Sequence, residues 1–202
     1  MGRIMEEKTS AYFNEGLESV GERLRRCTVQ VSDGRRGHGS GVIWRADGWI
    51  ITNAHVARGG RRTRVQLADG REFEAEIVAK DRERDLAALL VDARDLPAAE
   101  IGASGALRVG ELVLAIGSPF GIRGAVSTGV LHAIGPVAQA GEQSWLQADL
   151  QLAPGNSGGA LADAEGRVIG INTMIAMGLG LAIPSHDVEQ FLRRVLRRKA
   201  AA

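Results

Sequence analysis

This 202-residue chain has one cysteine, five prolines and only 4% aromatic residues, and each scarcity removes a possibility. With Cys27 alone, neither an intramolecular disulfide nor a cysteine metal cluster can form. Few prolines beside 27 glycines point to tight turns and close backbone approaches, not to a linker-rich chain. No apolar run approaches the roughly 18–20 residues that a membrane-spanning helix requires. A formal net charge of +1, from 25 Lys and Arg against 24 Asp and Glu, leaves no cation excess to neutralise phosphates, so no nucleic-acid partner is expected. The opening residues MGRIMEEKTSAYF lack the uninterrupted apolar stretch of a secretory signal. The expectation is a cytoplasmic protein if the chain is full length, and a periplasmic one if a leader was removed.

What is present is 45% hydrophobic and 24% charged residues, the profile of a folded protein with a sizeable core. In the first 26 residues, Phe13, Leu17, Val20 and Leu24 recur at helical spacing between charged residues. From Cys27 the texture becomes a series of short β-type runs: CTVQV, SGVIW, WIITN, RVQL, EFEAEIVAK and DLAALLV. A polar stretch near Asp92–Gly110 interrupts them, and a second set follows: ELVLAIG, VSTGVLHAI, SWLQADL, GALA, RVIGINTMI and LGLAIP. Two groups of about six strands argue for an all-β chain built from two units packed together. The expected segments are an N-terminal helix over 1–26, β units over 27–100 and 101–184, and a C-terminal helix over 185–202. In the last, Ser185 is the expected N-cap, and Val188, Phe191, Leu192 and Val195 form the apolar stripe.

The sharpest chemical signal is Gly155-Asn156-Ser157-Gly158-Gly159. A nucleophilic serine needs an exposed Oγ on a tight turn, with backbone N–H groups converging on the oxygen of the carbonyl it attacks. Taken alone, GNSGG is as readily a surface turn. A serine nucleophile also needs a base, and the base an orienting acid. Of four histidines, His55 follows the strand-like WII directly, and Asp85 stands at the mouth of an apolar run. His55, Asp85 and Ser157 follow one another at intervals of 30 and 72 residues, the chain order of chymotrypsin-type enzymes. His and Asp fall in the first unit and Ser in the second, which places a site at the interface between the two.

The segments GSGVIW, GWIITNAHV, RDLAAL, AIGSPFG, STGV, APGNSGGAL, GRVIGINT and LGLAIPS closely resemble the protease domain of HtrA/Deg serine proteases, of the trypsin-like clan. The resemblance implies two perpendicular six-stranded antiparallel β-barrels with a terminal helix. It implies His55 as general base, Asp85 as its orienting partner and Ser157 as nucleophile. The amides of Gly155 and Ser157, with Asn156 between them, would form the oxyanion hole. Leu152, Ile175 and Ala176 would line a small apolar pocket and favour aliphatic P1 residues. Cleavage after Arg or Lys would instead want an acidic group where Gln151 stands. Unfolded or damaged proteins are the implied substrates, as in protein quality control, with no cofactor and no metal. A homotrimer held by Tyr12, Phe13 and Phe120 is the implied assembly. The alternative is a chaperone-like binder that holds unfolded segments in the same cleft with negligible turnover. Many members carry C-terminal PDZ domains; this chain ends after its terminal helix, so the expectation is a protease domain without one. The segments Val31–Gly39 and MIAMGLGLAIP look short for the family's regulatory and pocket-lining loops.

Other features carry less. Gly37-His38-Gly39-Ser40-Gly41 imitates a phosphate loop, but it reads on into a strand. His132 and His186 lack the clustered ligands of a metal site. The cations Arg193, Arg194, Arg197, Arg198 and Lys199 suit the solvated C-terminal end of a helix. Cys27 reads as a buried small hydrophobe at the start of a strand.

Overall fold

The structure is a computed structural model describing residues 2–32, 38–58, 60–138 and 140–201, with side chains from residue 14 onward. Helix α1 (Gly2–Cys27) precedes six strands: β1 (Thr28–Ser32), β2 (His38–Ile43), β3 (Trp49–Thr52), β4 (Arg62–Gln66), β5 (Glu72–Asp81) and β6 (Leu86–Leu90). They close into an antiparallel barrel in the order β1-β2-β3-β6-β5-β4. The second barrel contains β7 (Leu112–Gly117), β8 (Ala125–Pro136), β9 (Ser144–Asp149), β10 (Ala160–Asp163), β11 (Val168–Ala176) and β12 (Leu179–Pro184). Its order, β7-β8-β9-β12-β11-β10, repeats that of the first. Helix α2 (Ser185–Ala200) ends the fold. The expected class, two six-stranded antiparallel barrels with a helix at either end, is the observed one.

Most core strands are short apolar runs with little alternation: β3, β6 and β10 are buried almost throughout, as strands with both faces covered must be. One buried apolar cluster joins every part of the molecule. It takes Val20, Leu24 and Cys27 from α1, Ile51 and Leu86 from the first barrel, Leu114 and Trp145 from the second, and Val188, Phe191 and Leu192 from α2. Exposed side chains of α1 grip turns of the second barrel: Arg25 donates to Gly124 O at 2.8 Å and Arg23 to Glu165 O at 2.6 Å. On the other side, Trp44 Nε1 donates to the Glu189 carboxylate of α2. The connection between the barrels is stitched down. Leu96 N–H donates to Ala46 O, Ala99 N–H to Ile43 O and Gly102 N–H to Val168 O, and Ile101 forms a parallel bridge with Val168.

Two expectations need correction. Ser185 does not cap α2: Pro184 holds that position without a side-chain cap. The Ser185 hydroxyl is drawn instead to the barrel connection, where it donates to Gly102 O at 2.7 Å and accepts Ser104 N–H at 3.3 Å. Cys27 ends α1 instead of opening a strand, its Sγ turned to Leu24 O one helical turn back. It is buried as expected, and burial pushes its thiol up to about 11, because the thiolate has no solvent there. Of the Val31–Gly39 segment, residues 33–37 lie outside the described residues.

The thiol therefore stays protonated at neutral and mildly alkaline pH in the folded chain. Iodoacetamide at pH 8 should alkylate the native protein at least about tenfold more slowly than the urea-unfolded protein, as read by mass spectrometry.

Candidate active site

The seam between the barrels gathers strand ends. His55 lies just after β3, Asp85 just before β6, and Ser157 in the turn before β10. Asp85 sits at φ 55°, a left-handed conformation that Asp tolerates better than most residues. Its carbonyl is held there by Ala54 N–H at 3.1 Å and by the Asn53 side-chain amide at 3.0 Å. The carboxylate then takes hold of His55 twice: Oδ1 accepts the backbone N–H at 2.9 Å, and Oδ2 lies 2.6 Å from ring Nδ1. That second contact suits a hydrogen on Nδ1, the tautomer in which Nε2 carries the lone pair. The His55 side chain keeps 40% of its surface exposed and Asp85 19%, so the imidazole is the more solvent-facing of the pair.

The turn carrying Ser157 depends on two glycines with positive φ. Gly155 has φ 109° with its backbone against Ser118 O, and Gly158 has φ 86° with its backbone against Ser40 O and Thr52 Oγ1. Among the described residues, neither Gly155 N–H nor Ser157 N–H donates to a backbone or side-chain acceptor. The carbonyl partners of those two amides are both occupied: Pro154 O accepts Phe120 N–H at 2.9 Å, and Asn156 O accepts Gly159 N–H at 3.0 Å. Two unspent donors thus lie in the serine turn, groups of the kind that can stabilise an oxyanion. Ser40 N–H of the first barrel donates to Ser157 O at 2.8 Å. The Ser157 hydroxyl proton goes to Thr173 O at 2.8 Å, not to His55.

The remaining sequence-derived positions are less uniform. Leu152 is half-buried, packs against the core of the second barrel and adjoins Gly180, where a Cβ would stand 3.1 Å from Leu152 Cδ1. Ala176 is half-buried, and Ile175 is 53% exposed at the end of β11. Asn156 is buried. Phe120 is 75% exposed; Tyr12 and Phe13 fall on α1, but their side chains lie outside the described residues. His186 Nδ1 lies 2.8 Å from Ser104 Oγ and its Nε2 3.4 Å from the Asp187 carboxylate, a local clasp on the α2 start. No group of metal-ligating side chains occurs among the described residues. A concavity of about 900 Å³ walled by Trp49, Glu76, Arg94 and Lys199 touches none of the site residues. Sequence reasoning missed Asn53, Ser40 and Thr173. Asn53 donates to Thr173 Oγ1 at 3.1 Å as well as to Asp85, tying the two barrels together. All three are polar and buried, and polar residues inside apolar runs were the signal that marked them.

The family model for the trypsin-like peptidase domain matches residues 39–171. A probable periplasmic serine endoprotease, DegP-like, from Halomonas elongata is 46% identical over 172 residues, 80% of this chain and 36% of its own length. The periplasmic serine endoprotease DegP of Escherichia coli K12 is 40% identical over 168 residues, 78% of this chain and 35% of its own. A solved structure of the HtrA-type protease AlgW with a tripeptide superimposes with a TM-score of 0.84 at 36% identity, covering 89% of this chain and 63% of that one. The chain thus spans about a third of the length of these curated relatives.

The Gly158 geometry is testable without any assay of chemistry. A Cβ on Gly158 would stand 2.1 Å from Ser40 O, in a backbone region unfavourable to alanine. Gly158→Ala should cost at least about 2 kcal/mol of stability, measured by urea denaturation. Gly141→Ala, with φ 87° but open space around it, should cost about 1 kcal/mol.

Proposed function

Because the chain belongs to the trypsin-like peptidase family, and within it to the HtrA/Deg serine proteases, we propose that it is a serine endopeptidase working through an acyl-enzyme. The observation that carries the reading is the two-point grip of Asp85 on His55 beside a Ser157 turn with two unspent amides. In the proposed reaction, Ser157 Oγ rotates away from Thr173 O and gives its proton to His55 Nε2 as it bonds to the scissile carbonyl carbon. The carbonyl oxygen becomes an oxyanion held by Gly155 N–H and Ser157 N–H. His55 then returns the proton to the leaving amine as the C–N bond breaks. Water repeats the sequence on the ester, releasing the acid and restoring Ser157. Asp85 keeps the imidazole tautomer and stabilises its protonated form.

Unfolded polypeptides are the proposed substrates, and Leu152 behind an uncharged Gln151 supports an aliphatic P1 preference. A homotrimer is proposed on the exposure of Phe120, since large exposed aromatics favour interfaces. The periplasm is the compartment that the relatives' names suggest. One observation favours the second reading, a binder of unfolded segments with negligible turnover: the Ser157 hydroxyl proton is engaged by Thr173 O.

Labelling by a fluorophosphonate decides between the two. The enzyme reading expects covalent labelling of Ser157, and Ser157→Ala should lower cleavage of denatured casein by about 10⁶-fold with little change in Tm. Acidification should lower the wild-type rate, because a protonated imidazole has no lone pair for the serine proton. Casein cleavage by the alanine variant at near-wild-type rates contradicts the assignment.

Peptides with Val, Ile, Leu or Ala at P1 should exceed matched Arg or Lys peptides by at least about 100-fold in kcat/KM, since an apolar wall cannot compensate a buried cation. A cleavage profile led by basic residues would refute the pocket.

A further inference from the structure

We infer that Ser40 is the positioning residue of the oxyanion hole, a hydroxyl from the first barrel that sets the direction of an amide in the second. The inference rests on the reading of Gly155 and Ser157 as oxyanion donors. Ser40 belongs to the Gly39-Ser40-Gly41 segment, which is not a phosphate loop but the interior of strand β2. Its side chain is completely buried, so its polar atom must be accounted for. Ser40 Oγ donates to Gly155 O at 2.7 Å and accepts Ser118 N–H at 2.8 Å. Ser118 N–H also reaches Gly155 O, at 3.4 Å. One hydroxyl thus joins β2, the 118–121 turn and the nucleophile turn.

The consequence follows from which peptide each bond holds. Gly155 N–H shares a peptide with Pro154 O, and Phe120 N–H secures that oxygen. Gly155 O belongs to the next peptide, held by Ser40 Oγ and, on its N–H side, by the Asn156 N–H bond to Ala153 O at 3.0 Å. Glycine has the widest torsional freedom of any residue, so the direction of Gly155 N–H is set only if both flanking peptides are fixed. The 153–156 turn fixes the second peptide relative to itself. Ser40 fixes it relative to the first barrel, which carries His55 and Asp85. Removing the hydroxyl leaves Gly155 O with the longer Ser118 bond; Ser40 N–H still holds Ser157 O, so it is the Gly155 end of the turn that is freed to shift against the base. Oxyanion stabilisation depends steeply on donor placement, while ground-state binding of peptide does not.

The molecule contains a matched control. Ser185 is equally a buried hydroxyl that donates to a glycine carbonyl, Gly102 O at 2.7 Å, and accepts a serine amide, Ser104 N–H at 3.3 Å, yet it touches no residue of the site. Full-length Ser40→Ala and Ser185→Ala proteins should be compared by Tm, by kcat and KM on a short chromogenic peptide with P1 Val, and by amide exchange mass spectrometry. Ser40→Ala should lower kcat by about 10- to 100-fold with KM changed by less than about threefold, and should speed exchange across residues 118–121 and 154–159. Ser185→Ala should keep kcat within about twofold for a comparable drop in Tm. Ser40→Cys, which keeps a weaker donor, should fall between wild type and alanine, and it carries the test if the alanine variant does not fold. Equal kcat in the two alanine variants, or a loss confined to KM, overturns the inference. Should the wild-type chain neither cleave peptide nor react with fluorophosphonate, the protease reading falls. The exchange data then decide for Ser40 on their own: faster exchange of 154–159 in Ser40→Ala alone supports it, and no difference overturns it.

Discussion

A closed barrel has no free strand edges, because every interior N–H and C=O is already paired around the ring. Two such barrels can join only through side chains and through the backbone groups left over at their rims. Here the left-over groups lie in the turn at Ser157, at Ser40 inside β2 beyond its pairing with β3, and at Asn53 just after β3. Ser40 N–H meets Ser157 O, Ser40 Oγ meets Gly155 O, and the Asn53 amide meets Thr173 Oγ1. Everything at the seam depends on this shortage of partners. The rims supply the polar groups that the barrel walls cannot, and those groups add hydrogen bonds to the apolar contact between the two units.

The same geometry explains why the junction is stiff. An apolar cluster runs from α1 through both barrels to α2, so moving one barrel against the other would open buried apolar surface in four places at once, at about 25 cal/mol per Å². The hydrogen bonds across the seam add direction to what the apolar contact supplies in strength. Arg23 and Arg25 fasten α1 to the second barrel, and Trp44 with Glu189 fastens α2 to the first.

Much of this was legible in residue order. All twelve strands coincide with the short β-type runs that the sequence displays: β3, β6 and β10 are apolar because both their faces are covered, while β4 and β8 alternate between buried and exposed positions. His55, Asp85 and Ser157 stood out because few residue types can act as base, acid and nucleophile, and they occur in the expected order. What could not be read was pairing at long range. That the second barrel repeats the strand order of the first is invisible, because topology depends on burial pattern and not on residue identity. Ser40 and Asn53 look like small polar interruptions of a strand until their partners, 115 and 120 residues away, are in view. Ser185 has the chemistry of a helix cap, and a competing carbonyl at Gly102 claimed its hydroxyl. The direction of the Ser157 proton is likewise a matter of which acceptor lies nearer, which no spacing rule encodes.

The stitched connection between the barrels has a bearing on how the chain resists nicking. An endopeptidase cuts a segment only once that segment can be drawn out of its folded surroundings. Between Leu90 and Leu112 this chain has an inter-unit tether of the kind that nicking enzymes favour. Its amides at Leu96, Ala99 and Gly102 are committed to Ala46, Ile43 and Val168, and Ile101 is bridged to β11. Freeing enough of it to thread a cleft means detaching it from both barrels first, so the tether's resistance to attack rises and falls with the folding free energy of the whole chain.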